Sequence, residues 1–131
     1  MSKMEIDKIK ELLAKDERVV FAYLFGSRAK GMASEKSDFD IAVYAADAHL
    51  WLNFYIEADI AQLLKTDDVQ VFILNRLYEP LFGFEIIKNG ILLVDKEQEK
   101  RIEFESRILG QYHDWQYFAK RHMEAEGWQY Q

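Results

Sequence analysis

The sequence predicts an α/β fold in which helices pack a small β-sheet and a long helix ends the chain. Three observations predict this class. Val19–Phe25 is a β-branched and aromatic run, which is typical of a buried strand. Strand patterns at 38–44 and 69–74 flank a helical pattern at 47–65, an order typical of a crossover in an α/β sheet. From 97 to 123, aromatic and aliphatic residues recur every three or four positions, as on one helix face.

The remaining elements follow from periodicity and from turn residues. At 3–15, aliphatic residues fall at helical spacing with lysine and glutamate between them, which predicts an amphipathic first helix. We predict a helix at 80–88, a turn at Asn89–Gly90 and a short apolar strand at 91–94. The pattern alone leaves open whether neighbouring strands run parallel.

Length and composition predict one domain. The chain has 131 residues, of which 50% are hydrophobic, so it is long enough for one core and too short to expect two. It has one proline and shows neither a repeat nor a low-complexity linker. We therefore predict a single domain over 1–131, with a core at about 5–95 and a C-terminal helix at about 97–123.

Net charge and composition argue against nucleic acid, zinc and membranes as partners. A formal net charge of -6 disfavours direct binding to nucleic-acid backbones. The chain has no cysteine, and His49, His113 and His122 are scattered, so a zinc site is not expected. No apolar stretch approaches the length of a membrane span, and 1–4 does not begin a secretory leader. We therefore expect a cytoplasmic protein with no membrane partner.

A glycine–serine step and a pair of aspartates carry the chemistry of the sequence. Gly26 and Ser27 follow the first strand, and Asp38 and Asp40 begin the second. Because strand side chains alternate, both aspartates share one face, where two carboxylates can hold a hard cation. Gly26 permits a tight exit from the strand, and a helix opening at Ser27–Lys30 would direct free N–H groups at phosphates.

This motif resembles the nucleotidyltransferase superfamily that includes DNA polymerase β. Gly26–Ser27 and Asp38-x-Asp40 are separated by ten residues and follow a hydrophobic strand, as in that superfamily. The short chain, with one helix before the strand, is similar to minimal nucleotidyltransferases (MNT), which are paired with a small helical HEPN protein. The segments 74–76 and 85–93 are similar to the later half of MNT antitoxins. The resemblance implies a small mixed β-sheet of the nucleotidyltransferase type packed by helices.

The resemblance also implies a cofactor, a substrate and site residues. Asp38 and Asp40 would be the ligands of Mg²⁺, and Gly26 and Ser27 would bind the triphosphate of ATP. A hydroxyl would then attack the α-phosphorus with loss of pyrophosphate.

Arg28 and Lys30 follow the glycine–serine step closely enough to reach non-bridging phosphate oxygens. The alternative is that both are exposed and solvated.

The sequence departs from the MNT pattern on its third strand. MNT proteins usually carry a third carboxylate there, and this chain has Gln70, which weakens a second metal site and base-assisted activation of the acceptor. Asp68 lies two residues earlier, on the same strand face by alternation, and would substitute as a catalytic residue if the strand begins one pleat sooner or the site shifts by about 7 Å. The alternative is that Asp67–Asp68 forms a helix-to-strand turn.

The implied function is that of an antitoxin. It would transfer AMP from ATP to a tyrosine hydroxyl of a cognate HEPN ribonuclease toxin and so neutralise it. A second hypothesis is a weakened enzyme that neutralises the toxin by direct binding, and a third is nucleotide transfer to a small molecule such as an aminoglycoside.

The apolar stripe of the last helix has two interpretations. It either docks on the domain's own core, or its distal half, with Trp128 and Tyr130, meets a partner protein. The stripe comprises Phe104, Ile108, Tyr112, Trp115, Phe118 and His122.

Overall fold

A computed structural model describes residues 3–29 and 38–125. Their elements, in chain order, are α1 (Lys3–Ala14), β1 (Val19–Phe25), β2 (Phe39–Ala45), α2 (Leu52–Leu64), β3 (Val69–Ile73), a 3₁₀ turn (Leu74–Arg76), α3 (Pro80–Asn89), β4 (Ile91–Asp95) and α4 (Gln98–Ala125). The predicted α/β class, with a small sheet and a long C-terminal helix, is confirmed.

The four strands form one mixed sheet in the order β3-β2-β1-β4. β2 and β3 run parallel and are joined by the crossover helix α2. β1 is antiparallel to both of its neighbours, β2 and β4. The mixed sheet that the family resemblance implied is therefore present, and β1 is one of its two central strands.

Helices cover both faces of the sheet. On one face, α1 and α2 contribute Ile9, Leu13, Leu52, Ile56 and Ile60 to a cluster that includes the alternating residues Phe39, Ile41 and Val43 of β2. On the other face, α3 and α4 contribute Ile86, Phe104 and Ile108 to a second cluster with Phe21, Tyr23 and Ala42. β1 is buried along its whole length because it is covered on both sides.

α2 starts later than its periodicity predicts. The sequence predicts a helix over 47–65, whereas the helix begins at Leu52. Residues of the 3₁₀ turn hold the preceding backbone in another conformation. The Asn75 side chain accepts from the Ala45 N–H at 2.8 Å and donates to the Ala45 carbonyl at 3.0 Å, and Arg76 donates to the His49 carbonyl at 2.9 Å. Of these groups, the His49 carbonyl is one that a helix beginning at 47 would have used for its own i to i+4 bond.

The first half of α4 is fixed to the sheet by packing and by a polar network. Phe104 and Ile108 are buried, and a Cβ at Gly83 of α3 would lie only 2.8 Å from Ile108, so α3 and α4 approach closely there. The Tyr23 hydroxyl donates to Glu105 at 2.7 Å, and Arg101 binds that same carboxylate at 2.9 Å. Burial and the Glu105 carboxylate raise the pKa of Tyr23.

The second half of α4 is exposed. α4 has 28 residues, about 42 Å at the usual helical rise, and its last ring contact with α3 joins Tyr112 and Phe84. Beyond that contact, Trp115 is 38% exposed and Phe118 is 69% exposed. The interpretation that the stripe docks on the core holds for its first half only. Of the helices in the described ranges, none is both long enough and apolar enough to span a membrane.

Candidate active site

The turn after β1 requires glycine for two reasons. Gly26 has a φ of +77°, a conformation that residues with a Cβ rarely adopt. A Cβ at this position would also overlap the Oδ2 atom of Asp40 and lie 3.3 Å from its Cγ atom. The backbone of the turn therefore packs directly on the Asp40 carboxyl group. Ser27 is exposed, and 27–29 forms a turn where the sequence suggested the start of a helix.

The two predicted metal ligands stand close enough to interact electrostatically. Asp40 lies on β2, half-buried, and Asp38 directly precedes the strand and is exposed. Burial raises the pKa of Asp40, and the negative charge of Asp38 raises it further. No ion pair to either carboxylate occurs within 3–29 and 38–125. A cation bound between them would relieve both the repulsion and the cost of burial.

β3 places Gln70 beside Asp40. The parallel register pairs Asp40 with Gln70, so the position nearest to the metal candidates carries a neutral amide. Asp68 precedes the strand, and its backbone carbonyl accepts from the Phe39 N–H at 2.8 Å. Asp67 and Asp68 thus belong to the connection between α2 and β3, as the turn interpretation holds. That Asp68 takes the role of the third acid stays a prediction.

A shallow cavity of about 440 Å³ nevertheless brings acidic residues to this end of the sheet. Asp38 and Gln70 line it together with Asp67, Asp68 and Glu57. Glu57 has a second role that sequence patterns missed: its carboxylate accepts from the Val71 N–H at 2.9 Å and so satisfies a backbone donor of the edge strand β3. No periodic signal distinguishes this glutamate from the other polar residues of α2.

The residues present fit a bound Mg²⁺ in a limited way. Among the described residues, no group of three or more histidine or carboxylate side chains is placed to hold a metal ion. Asp38 and Asp40 therefore offer two carboxylates. Mg²⁺ is commonly bound by one or two carboxylates together with substrate phosphates and water, so this pair suits an ion that arrives with a nucleotide.

The sequence did not predict that the side chain of Arg28 is buried. Its side chain is 5% exposed, and its guanidinium carbon lies 3.7 Å from the centroid of the Phe39 ring. The alternative that Arg28 is exposed and solvated is therefore wrong, because the side chain folds back onto the sheet. Lys30, the other predicted phosphate contact, lies outside the described residues.

Solved structures with a similar fold are toxin–antitoxin complexes. A toxin–antitoxin with AMP-PNP matches with a TM-score of 0.70 at 23% identity, over 91% of this chain and 93% of that chain. A tri-AMPylated Shewanella oneidensis HEPN toxin in complex with MNT antitoxin matches at 0.68 and 23%, over 95% and 94%. The toxin–antitoxin MntA-HepT matches at 0.67 and 22%, over 95% and 94%. At these identities the likeness shows a shared fold.

A family model supplies the sequence-level comparison. No curated protein matches the chain. The model described as "Polymerase beta, Nucleotidyltransferase" matches residues 7–99, which include the Gly26 turn, Asp38, Asp40 and β3. The match covers well over half of the chain and spans the sheet together with the carboxylate pair. The chain belongs to the polymerase β nucleotidyltransferase family.

Proposed function

We propose that this chain is an MNT-type antitoxin that transfers AMP from Mg²⁺-bound ATP to a tyrosine hydroxyl of a HEPN-type toxin and thereby neutralises it. The observation that carries the proposal is the pair Asp38 and Asp40: no described residue forms an ion pair with either carboxylate, and Asp40 packs against the Gly26 turn. Chains of the same fold occur in a complex of an MNT antitoxin with a tri-AMPylated HEPN toxin and in a toxin–antitoxin with AMP-PNP. These relatives suggest the nucleotide, the partner and the modification.

Each residue of the site has a role in this proposal. Asp38 and Asp40 would hold Mg²⁺, which supplies positive charge to the attacking and leaving oxygens. Ser27 is exposed at the turn, where its hydroxyl can donate to a phosphate oxygen. The turn's packing on Asp40 keeps the triphosphate contacts beside the carboxylates.

The transfer itself is an in-line displacement. The tyrosine oxygen bonds to the α-phosphorus, the bond from that phosphorus to the bridging oxygen breaks, and pyrophosphate leaves with the electron pair. The phenolic proton passes to a general base. Asp68 is the candidate for that base, because the amide of Gln70 does not accept a proton at neutral pH.

Intact-mass measurement of the toxin tests the proposal. The purified chain is mixed with Mg²⁺, ATP and the HEPN-type protein of the neighbouring reading frame, and we expect mass increments of whole AMP units. The Asp38→Asn/Asp40→Asn variant should lower the rate about 100-fold or more, because it removes both carboxylates that would hold the ion. Asp47→Asn, an exposed acid at the other end of β2, is the matched control and should transfer normally. A partner whose mass does not change with the wild-type chain would contradict the proposal.

The exposed half of α4 favours a second candidate function, neutralisation by direct binding. Trp115 and Phe118 continue the apolar stripe beyond the core, with Tyr117 58% exposed and Met123 39% exposed near them. Exposed tryptophan and tyrosine side chains are typical anchors of protein interfaces. Under this candidate, Asp38→Ala/Asp40→Ala leaves a stable, neutralised complex, and Trp115→Ala/Phe118→Ala weakens it. Under the enzymatic proposal the first variant releases an active toxin.

A further inference from the structure

Among the described residues, Arg28 is the only charged residue that is buried. We propose that Arg28 is a positioning residue, which acts through the ring of Phe39 to hold Asp38 and Asp40 in place, and that it is not a ligand of the triphosphate. The inference rests on the proposed function, because it gives the two carboxylates a shared task. It reassigns a residue that the motif alone would place among the phosphate contacts.

The position of Phe39 couples its ring to the two neighbouring carboxylates. Phe39 stands between Asp38 and Asp40 in the chain, and its side chain is 2% exposed in the cluster beneath α1 and α2. Asp40 is on the opposite face of the same strand. Because adjacent residues share one backbone, a shift of the Phe39 ring that displaces its backbone also turns both neighbouring side chains. The guanidinium of Arg28, 3.7 Å from the ring centroid, opposes such a shift.

The turn therefore packs against both faces of β2 at the start of the strand. On one face, the backbone of Gly26 packs on the Asp40 carboxyl group. On the other face, Arg28 stacks on Phe39. These two contacts fix where the turn lies relative to the carboxylates. The Phe39 N–H also donates to the Asp68 carbonyl at 2.8 Å, which extends the same restraint to the start of β3.

Burial separates Arg28 from a phosphate-binding role. A guanidinium that binds triphosphate presents its N–H fork to the ligand. With 5% of its surface exposed, Arg28 would have to leave the Phe39 ring and its buried position to do so. Ser27, one residue earlier, is exposed at the same turn and needs no such movement.

Binding of a non-hydrolysable ATP analogue, measured by calorimetry with and without Mg²⁺, tests the proposal. A positioning residue acts through the metal carboxylates, so Arg28→Met and Arg28→Lys should weaken Mg²⁺-dependent binding about tenfold and leave metal-free binding unchanged. Arg28→Lys keeps the charge and loses the planar stack, and it serves as the second variant if Arg28→Met does not fold. Arg121→Met, which removes an exposed arginine beside Tyr117, is the matched control. A direct phosphate ligand would instead weaken binding equally in both conditions, and that result overturns the proposal.

A double-mutant cycle with Phe39→Leu tests the route of the effect. If Arg28 acts through the ring, its loss should cost nothing further once the ring is gone, so the double variant should match the single Phe39→Leu variant in Mg²⁺-dependent affinity. Independent, additive losses overturn the route through Phe39. If the wild-type chain binds the ATP analogue together with Mg²⁺ but does not modify the toxin, only the proposed function is overturned. The role of Arg28 is then decided by the Mg²⁺-dependent affinity of its variants for the analogue. A wild-type chain that does not bind the analogue overturns both.

Discussion

The two ends of the sheet treat their carboxylates in opposite ways. At one end, arginines neutralise the acids: Arg18 contacts Asp16 at 2.6 Å and Asp59 at 2.9 Å. Arg101 likewise contacts Asp95 and Glu105, both at 2.9 Å. At the other end, Asp38 and Asp40 repel each other, and the described residues provide no ion pair to them. Acids paired by arginine stabilise the fold, whereas acids left unpaired side by side are suited to an external cation.

The pKa values of Asp16 and Asp40 express this contrast. Hydrogen bonding to Arg18 lowers the pKa of Asp16, and burial with the Asp38 charge raises that of Asp40. The paired acid therefore favours the folded state when it is ionised. The unpaired acid disfavours the folded state when it is ionised, and this destabilisation persists until a cation binds.

The largest expected effect concerns the third acid at the unpaired end. If Asp68 acts as the general base, Asp68→Asn should lower AMP transfer about 100-fold or more, whereas Gln70→Ala, which removes a neutral amide, should leave most of the rate. Rates are measured from the intact mass of the toxin over time. Equal losses from both changes would contradict the assignment of Asp68 as the general base.

A smaller effect is expected from the glycine that packs on Asp40. Gly26→Ala places a Cβ at positive φ and against the carboxylate, so the free energy of unfolding should fall by about 1–3 kcal/mol. Mg²⁺-dependent nucleotide binding should weaken as well. Gly110→Ala is the matched control, because a Cβ there has no atom within 4 Å, and it should stabilise α4 by up to about 1 kcal/mol. Urea denaturation measures both variants, and an unchanged stability of Gly26→Ala would contradict the close packing.

The smallest effect, and the most direct test of the contrast, compares Asp16→Asn with Asp40→Asn. At pH 7 without Mg²⁺, Asp16→Asn should destabilise the fold by about 1 kcal/mol, because it breaks a partly exposed, charge-assisted contact with Arg18. Asp40→Asn should stabilise the fold slightly, because it removes an ionised group that burial and Asp38 disfavour. Unfolding in urea measures both changes. Destabilisation by both would mean that the two ends do not differ.

The pH dependence of stability has a definite sign at each end. The folded-state pKa of Asp16 lies below 3.8, so its contribution is fully present above that value and is lost as the pH falls through the lowered pKa. Asp40 has a raised pKa, so its contribution decreases as the pH rises from its unfolded value through the folded one. Asp16→Asn should therefore flatten the acid limb of the wild-type stability profile. An acid limb unchanged in that variant would contradict the assignment.

Sequence periodicity predicted the local arrangement of the site but not its tertiary contacts. Alternation along β2 placed Asp40 and Phe39 on opposite faces, and the structure has them there because a strand repeats every two residues. The burial of Arg28 on Phe39 was not predictable, since it depends on how the turn folds back. The exposure of Trp115 could not be predicted from the sequence either, because a helical stripe has the same residue pattern whether or not a neighbour covers it.

Calorimetric titration with Mg²⁺ and a non-hydrolysable ATP analogue shows whether the unpaired carboxylates bind a cation together with a nucleotide. We predict Mg²⁺-dependent binding that is lost in Asp40→Asn and retained in Asp16→Asn, since only the first of these acids belongs to the unpaired end. Binding that is independent of Mg²⁺, or that survives in Asp40→Asn as it does in Asp16→Asn, would contradict this prediction.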